Sequence, residues 1–161
     1  ASNKKILDGV FKKITKELKE SDNNIWIRPE ISGKQAQFGD LRELIRLSQD
    51  LEQVMPCIDF SHLFARTVGK NNSLGEFDSI LKEIEKSLGK EALNNMHIHV
   101  SGIEYTDKGE KNHLILEESK FNYSDLMKSL KEFKVKGVLI CESPNIEEDA
   151  LLMKDFYSKI K

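Results

Sequence analysis

Between residues 4 and 20, Ile6, Leu7, Val10, Phe11, Ile14 and Leu18 recur at helical spacing among lysines and glutamates, which predicts an amphipathic helix. A polar turn at residues 21–24 separates it from residues 25–30, Ile-Trp-Ile-Arg-Pro-Glu. That β-rich run reads as a strand ending at Glu30. Leu41, Leu44, Ile45 and Leu51 then form the inner stripe of a second helix. The same grammar recurs three times. Residues 54–59 lead through a loop to a helix carrying Phe77, Ile80, Leu81, Ile84 and Leu88. Residues 96–100 lead through a long charged loop to Leu126, Met127, Leu130 and Phe133. Residues 137–142 lead to a last helix with Ala150, Met153, Phe156 and Ile160.

Apolar strands alternating with helices specify an α/β fold with a parallel sheet, either doubly wound or a (β/α)8 TIM barrel. Four βα units are visible, and a whole barrel takes about 250 residues. The chain therefore reads as one domain over residues 1–161, the C-terminal half of a TIM barrel with the N-terminal half absent: four parallel strands alternating with helices. The sequence carries neither G-x-G-x-x-G nor a P-loop, which weakens the doubly wound, nucleotide-binding alternative.

Composition adds exclusions. With 161 residues, 39% apolar and 32% charged, and only 3 Pro and 9 Gly, disorder and collagen-like structure are ruled out. Cys57 and Cys141 lie in apolar runs, as buried thiols of a reducing compartment do. No apolar stretch has the length of a membrane span and the N-terminus lacks a signal-peptide core, so a cytoplasmic protein without membrane partners is expected. Lys and Arg total 25 against 27 Asp and Glu, so any contact with nucleic acid has to be local.

In parallel α/β folds, sites form at the C-terminal strand ends. Every predicted strand ends in a group that can bind a metal: Glu30, Asp59 with His62, His97 with His99, and Glu142. Each has a plainer reading as a helix cap, a solvated loop carboxylate or a hydrogen-bonded histidine. Four such endings in four strands favour a shared site, and Glu30, Asp59, His97 and Glu142 are expected to converge. Side chains alternate along a strand, so His97 and His99 share a face, and an inward Glu30 carries Trp26 and Arg28 with it. Arg28 then holds an anionic substrate or neutralises Glu30. His113, the remaining histidine, lies in the loop after the third strand. Imidazoles and carboxylates without thiolates suit zinc, manganese or iron. Such ions serve phosphoryl displacement and sugar isomerisation alike.

The runs Pro29-Glu30-Ile31-Ser32-Gly33, Cys57-Ile58-Asp59-Phe60-Ser61-His62, Asn95-Met96-His97-Ile98-His99, then His113 with Glu117-Glu118, and Leu139-Ile140-Cys141-Glu142-Ser143-Pro144 resemble, in order and spacing, the C-terminal half of endonuclease IV. That family comprises the metal-dependent apurinic/apyrimidinic (AP) endonucleases among the xylose-isomerase-like TIM barrels. The resemblance implies a hydrolase of DNA repair that binds DNA at abasic sites and cuts the backbone on their 5′ side. It further implies two or three ions, zinc or manganese. On this resemblance Glu30 is the bridging carboxylate, and Asp59, His62, His97, His113 and Glu142 are further metal ligands, with Glu30 and Glu142 as the catalytic pair. Arg28 and His99 are expected to bind substrate. The family has an Asp two positions before the residue matching His113, where this chain has Lys111 with Glu110 beside it, and draws two more histidines from its N-terminal half.

Two other readings stand beside this one. A sugar isomerase or epimerase of the same superfamily would hold one divalent ion on Glu30, Asp59, His97 and Glu142. A non-catalytic fragment would retain ligands without turnover. A half barrel is also expected to self-associate through its open edges.

Overall fold

A computed structural model describes the backbone of residues 2–160 and the side chains of residues 7–160. Helix α1 spans Ser2–Glu20, α2 Leu41–Asp50, strand β1 Cys57–Asp59, and α3 Phe60–Arg66. Helices α4 (Leu74–Leu88) and α5 (Lys90–Asn94) precede β2 (Met96–Val100). Strands β3 (Gly102–Thr106) and β4 (Gly109–Leu114) follow, then α6 (Tyr123–Glu132), β5 (Gly137–Cys141) and α7 (Glu147–Lys159).

The sheet β1-β2-β5 is parallel and in sequence order. Cys57, His97 and Val138 stand abreast in one row, and Asp59, His99 and Ile140 in the next. Met96, Ile98 and Val100 face the opposite way and are buried under the helices with Phe60, Phe64, Phe77, Leu81, Ile84 and Leu126. Edge-on aromatic contacts knit this core, with Phe60 and Phe77 ring centres 5.7 Å apart. Helices α2, α4, α6 and α7 pack side by side over one face. The other face carries the histidines.

Three sequence expectations change. Residues 25–30 do not form a regular strand: they run parallel to β1 through isolated bridges, Ile27 with Val54 and Glu30 with Cys57. Pro29 and Pro56 remove ladder donors there, which also confines β1 to three residues. The loop expected after residue 59 begins with α3, which Asp59 caps and whose Phe60, Leu63 and Phe64 are buried. The long charged loop after β2 is the hairpin β3–β4, turned at Asp107 and Lys108.

Helix α1 covers the residues expected to be helical, with Val10 and Ile14 exposed and Leu7, Phe11 and Leu18 half-buried on its apolar stripe. Ile6 on the same stripe lies outside the described side chains.

Candidate metal centre

Glu30, Asp59, His99 and Glu142 bring one ligand atom each to within 4.8 Å of one another. His99 Nδ1 lies 2.8 Å from Glu30 Oε1 and 3.2 Å from Glu142 Oε1. Of the expected quartet, three members converge and His99 takes the place of His97. The reason is register: His99 is abreast of Asp59, whereas His97 stands one row earlier, abreast of Cys57. His97 Nε2 lies 3.2 Å from His99 Nε2, and Cys57, His97 and His99 form a group of their own.

Asp59 performs two tasks. Its Oδ1 accepts a 2.7 Å hydrogen bond from His62 N, the capping role that sequence alone also allowed. Its Oδ2 is buried and has no hydrogen-bond partner. His62 Nδ1 is 3.1 Å from that oxygen, but directs its hydrogen to Ile31 O at 2.9 Å. Burial holds Asp59 well above the usual carboxylate range, the hydrogen bond from His62 N opposes this, and the nearby Glu30 and Glu142 charges raise it further. An orphaned buried oxygen among three carboxylates is a place for a cation.

A second group adjoins the first. His62, Glu110 and His113 also bring ligand atoms to within 4.8 Å of one another. A backbone carbonyl only accepts, so the contacts of His62 Nδ1 with Ile31 O (2.9 Å) and of His113 Nδ1 with Glu142 O (3.2 Å) assign both Nδ1 atoms as donors. With its hydrogen on Nδ1 alone, each ring would present an Nε2 lone pair. The two Nε2 atoms face each other at 3.3 Å, with Glu110 oxygens 3.5 Å from His62 and 3.7 Å from His113. Two opposed lone pairs beside a carboxylate fit a shared cation.

Glu110 reaches this group through a β-bulge. The ladder pairs Glu104 with Asn112 and then Tyr105 with Glu110, so Lys111 is the extra residue. That restores Glu110 to the face of His113 and turns Lys111 outward, where its Nζ meets Glu104 at 2.8 Å. The hairpin docks on the loop after Glu30: Glu110 N donates to Gly33 O at 2.9 Å. A Cβ at Gly33 would sit 2.6 Å from Glu110 Cβ, so this position has to be glycine for the carboxylate to stand where it does.

Arg28 lies over Trp26, its Cζ 5.5 Å from the ring centre. Among the described residues it forms no ion pair with Glu30, and its buried Nη1 has no partner. Burial lowers its guanidinium, against an opposing influence of Cys57. Burial pushes the Cys57 thiol far up, and Glu30, Asp59 and Glu142 add to this, which disfavours the thiolate. Both cysteines are free.

Residues 6–156 match the model of the xylose isomerase-like TIM barrel family. The chain belongs to the xylose isomerase-like TIM barrel family. Over 150 residues it is 47% identical to uncharacterized protein MJ0133 of Methanocaldococcus jannaschii, a match that covers 93% of this chain and 55% of that protein. The chain thus spans about half the length of this family relative. The crystal structure of 3-keto-D-glucoside 4-epimerase YcjR from E. coli, apo form, superposes with a TM-score of 0.57 at 16% identity. That likeness covers 96% of this chain and 52% of the epimerase, and it shows the shared barrel fold alone. Among the described residues no helix is long and apolar enough to cross a membrane.

Proposed function

We propose that this chain carries most of the metal centre of an endonuclease IV-like phosphodiesterase that cuts DNA beside abasic sugars. The observation that carries this reading is the second group, His62, Glu110 and His113, set against the first: a one-metal isomerase needs no such pair of opposed imidazoles. In this reading Glu30, Asp59, His99 and Glu142 hold one ion and His62, Glu110 and His113 another, zinc or manganese by their donor chemistry. Cations bound there would supply Lewis-acid neutralisation of phosphodiester charge and a water that loses its proton near neutral pH.

The chain's own residues supply binding and orientation. Glu30 Oε1 lies 2.8 Å from His99 Nδ1 and 3.6 Å from His62 Nδ1, so this carboxylate would serve the first group and border the second. Arg28 offers a desolvated donor with no protein acceptor, which a phosphate oxygen completes. Arg66 donates to the carbonyls of Ser32, Lys34, Gln35 and Gln37 and so fixes the loop beside Glu30, where exposed Lys34 provides the local positive charge that the bulk composition lacks.

The test incubates protein of full natural length, loaded with zinc or manganese, with a duplex containing one abasic site, beside a chelated control and Glu30→Gln. Nicking 5′ to the lesion that both controls lose is the expected result. A second reading rests on Glu30, Asp59, His99 and Glu142 forming a complete four-ligand set for one ion. Interconversion of a ketose and an aldose or of two epimers, with no nick under either metal, would put a sugar isomerase or epimerase in its place.

A further inference from the structure

His99 meets Glu30 and Glu142 through Nδ1 and turns Nε2 toward His97, so its two nitrogens face different groups. His99 Nδ1 lies 2.8 Å from Glu30 Oε1, a distance at which a hydrogen on Nδ1 would be donated to the carboxylate. His99 Nε2 would then be a lone pair, and the 3.2 Å contact would run from His97 Nε2–H to His99 Nε2. Ligation by Nδ1 needs the opposite arrangement. The lone pair must be at Nδ1, the hydrogen at Nε2, and His97 Nε2 must accept it.

We propose that His97 is the positioning residue of the first cation group, holding His99 for ligation through Nδ1 by accepting its Nε2–H, rather than being a ligand itself. The rearrangement conserves protons. One hydrogen moves from Nδ1 to Nε2 on His99, and one from Nε2 to Nδ1 on His97, with no change in net charge. An imidazole is suited to this place because it donates before the cation enters and accepts afterwards. The fold keeps the two rings in contact: both project inward from β2, one row apart, at 62° with centres 5.1 Å apart. Histidine ligands in metalloproteins are commonly fixed through the ring nitrogen that does not touch the metal, and loss of the fixing group costs about 10- to 100-fold in metal affinity.

The inference rests on the reading of Glu30, Asp59, His99 and Glu142 as a cation site, and the test separates the two. The full-length protein, labelled with ¹⁵N-histidine, is titrated with Zn²⁺, and long-range ¹H–¹⁵N spectra report the tautomer of His99. In parallel, Co²⁺ affinity is read from visible absorption for the wild type, His97→Leu and His97→Gln. The expected result is a shift of the His99 hydrogen from Nδ1 to Nε2 on zinc binding. Leucine should weaken Co²⁺ binding 10- to 100-fold, and glutamine, whose amide oxygen accepts the same hydrogen, should restore most of it. A protein that binds neither ion overturns the cation-site reading and the inference with it. Ion binding with His99 still protonated at Nδ1, a ¹⁵N shift showing direct ligation by His97, or equal affinity in the leucine variant overturns the inference alone. The tautomer measurement on the wild type stands whether or not the variants fold.

Discussion

Asp59 shows how one side chain joins fold and chemistry. Oδ1 caps α3 and Oδ2 is buried without a partner, so in the proposed centre Asp59→Asn should keep the cap, lose binding at the first group and leave the metal-free protein no less stable at neutral pH. Because the folded state raises this carboxyl, the folded chain holds its proton to higher pH than the unfolded chain does. Its contribution to stability is therefore complete below the unfolded pKa and declines as pH rises through the native value. Denaturation midpoints in chelator should fall more steeply with pH above about 4 for the wild type than for Asp59→Asn; a steeper fall in the variant would contradict the assignment. Asp149 has the opposite sign. Burial pushes it up, but hydrogen bonds from Ser143, Asn145 and Leu116 N outweigh that and lower it, so Asp149→Ala should cost about 1–3 kcal/mol in urea unfolding at neutral pH. At this scale Glu30, Asp59, His62 and Glu142 were legible as strand-end and turn residues. The choice of His99 over His97 was not, because alternation gives the face while register gives the row.

Among the elements, the hairpin decides the second candidate group, because it brings Glu110 beside His62 and His113. Its bulge at Lys111 exchanges the residue that sequence spacing aims at the site for the one before it. Glu110→Gln should abolish binding of the second ion in calorimetric titration. Lys111→Ala should leave that binding unchanged and have little effect on stability, as expected for an exposed pair. Gly33→Ala, which forces Glu110 to move, should resemble the glutamine variant with the fold retained. A lysine variant that lost the ion while the glutamine variant kept it would refute the bulge as the cause. The helices on α2, α4, α6 and α7 were readable because their apolar periods are long and sustained. The hairpin was masked by its charges, although Ile103 and Tyr105 alternate before the turn at Asp107-Lys108-Gly109. Pro29 within residues 25–30 and Pro56 within residues 54–59 were the signals that these runs would pair only in part.

For the whole molecule, the layering of a parallel sheet under helices followed from the alternation of apolar runs, and the family match agrees with it. What the sequence left open is how the inner face is covered. Ile25 and Trp26 at one side and Val138 and Ile140 at the other are 56%, 47%, 53% and 42% exposed, and β5 ends the sheet with an unpaired edge. The 161-residue chain should therefore self-associate in light scattering, Val138→Lys should reduce the associated fraction, and fluorescence of the single tryptophan should shift to the blue as concentration rises. A monomer at all concentrations would contradict this. Two adjoining cation groups, one of them built on His62, can be located by anomalous diffraction at the zinc edge on crystals of the full-length protein grown with zinc. One peak is expected among Glu30, Asp59, His99 and Glu142 and another between the Nε2 atoms of His62 and His113 beside Glu110; zinc on His97 and Cys57, with no density between His62 and His113, would refute the two-group centre.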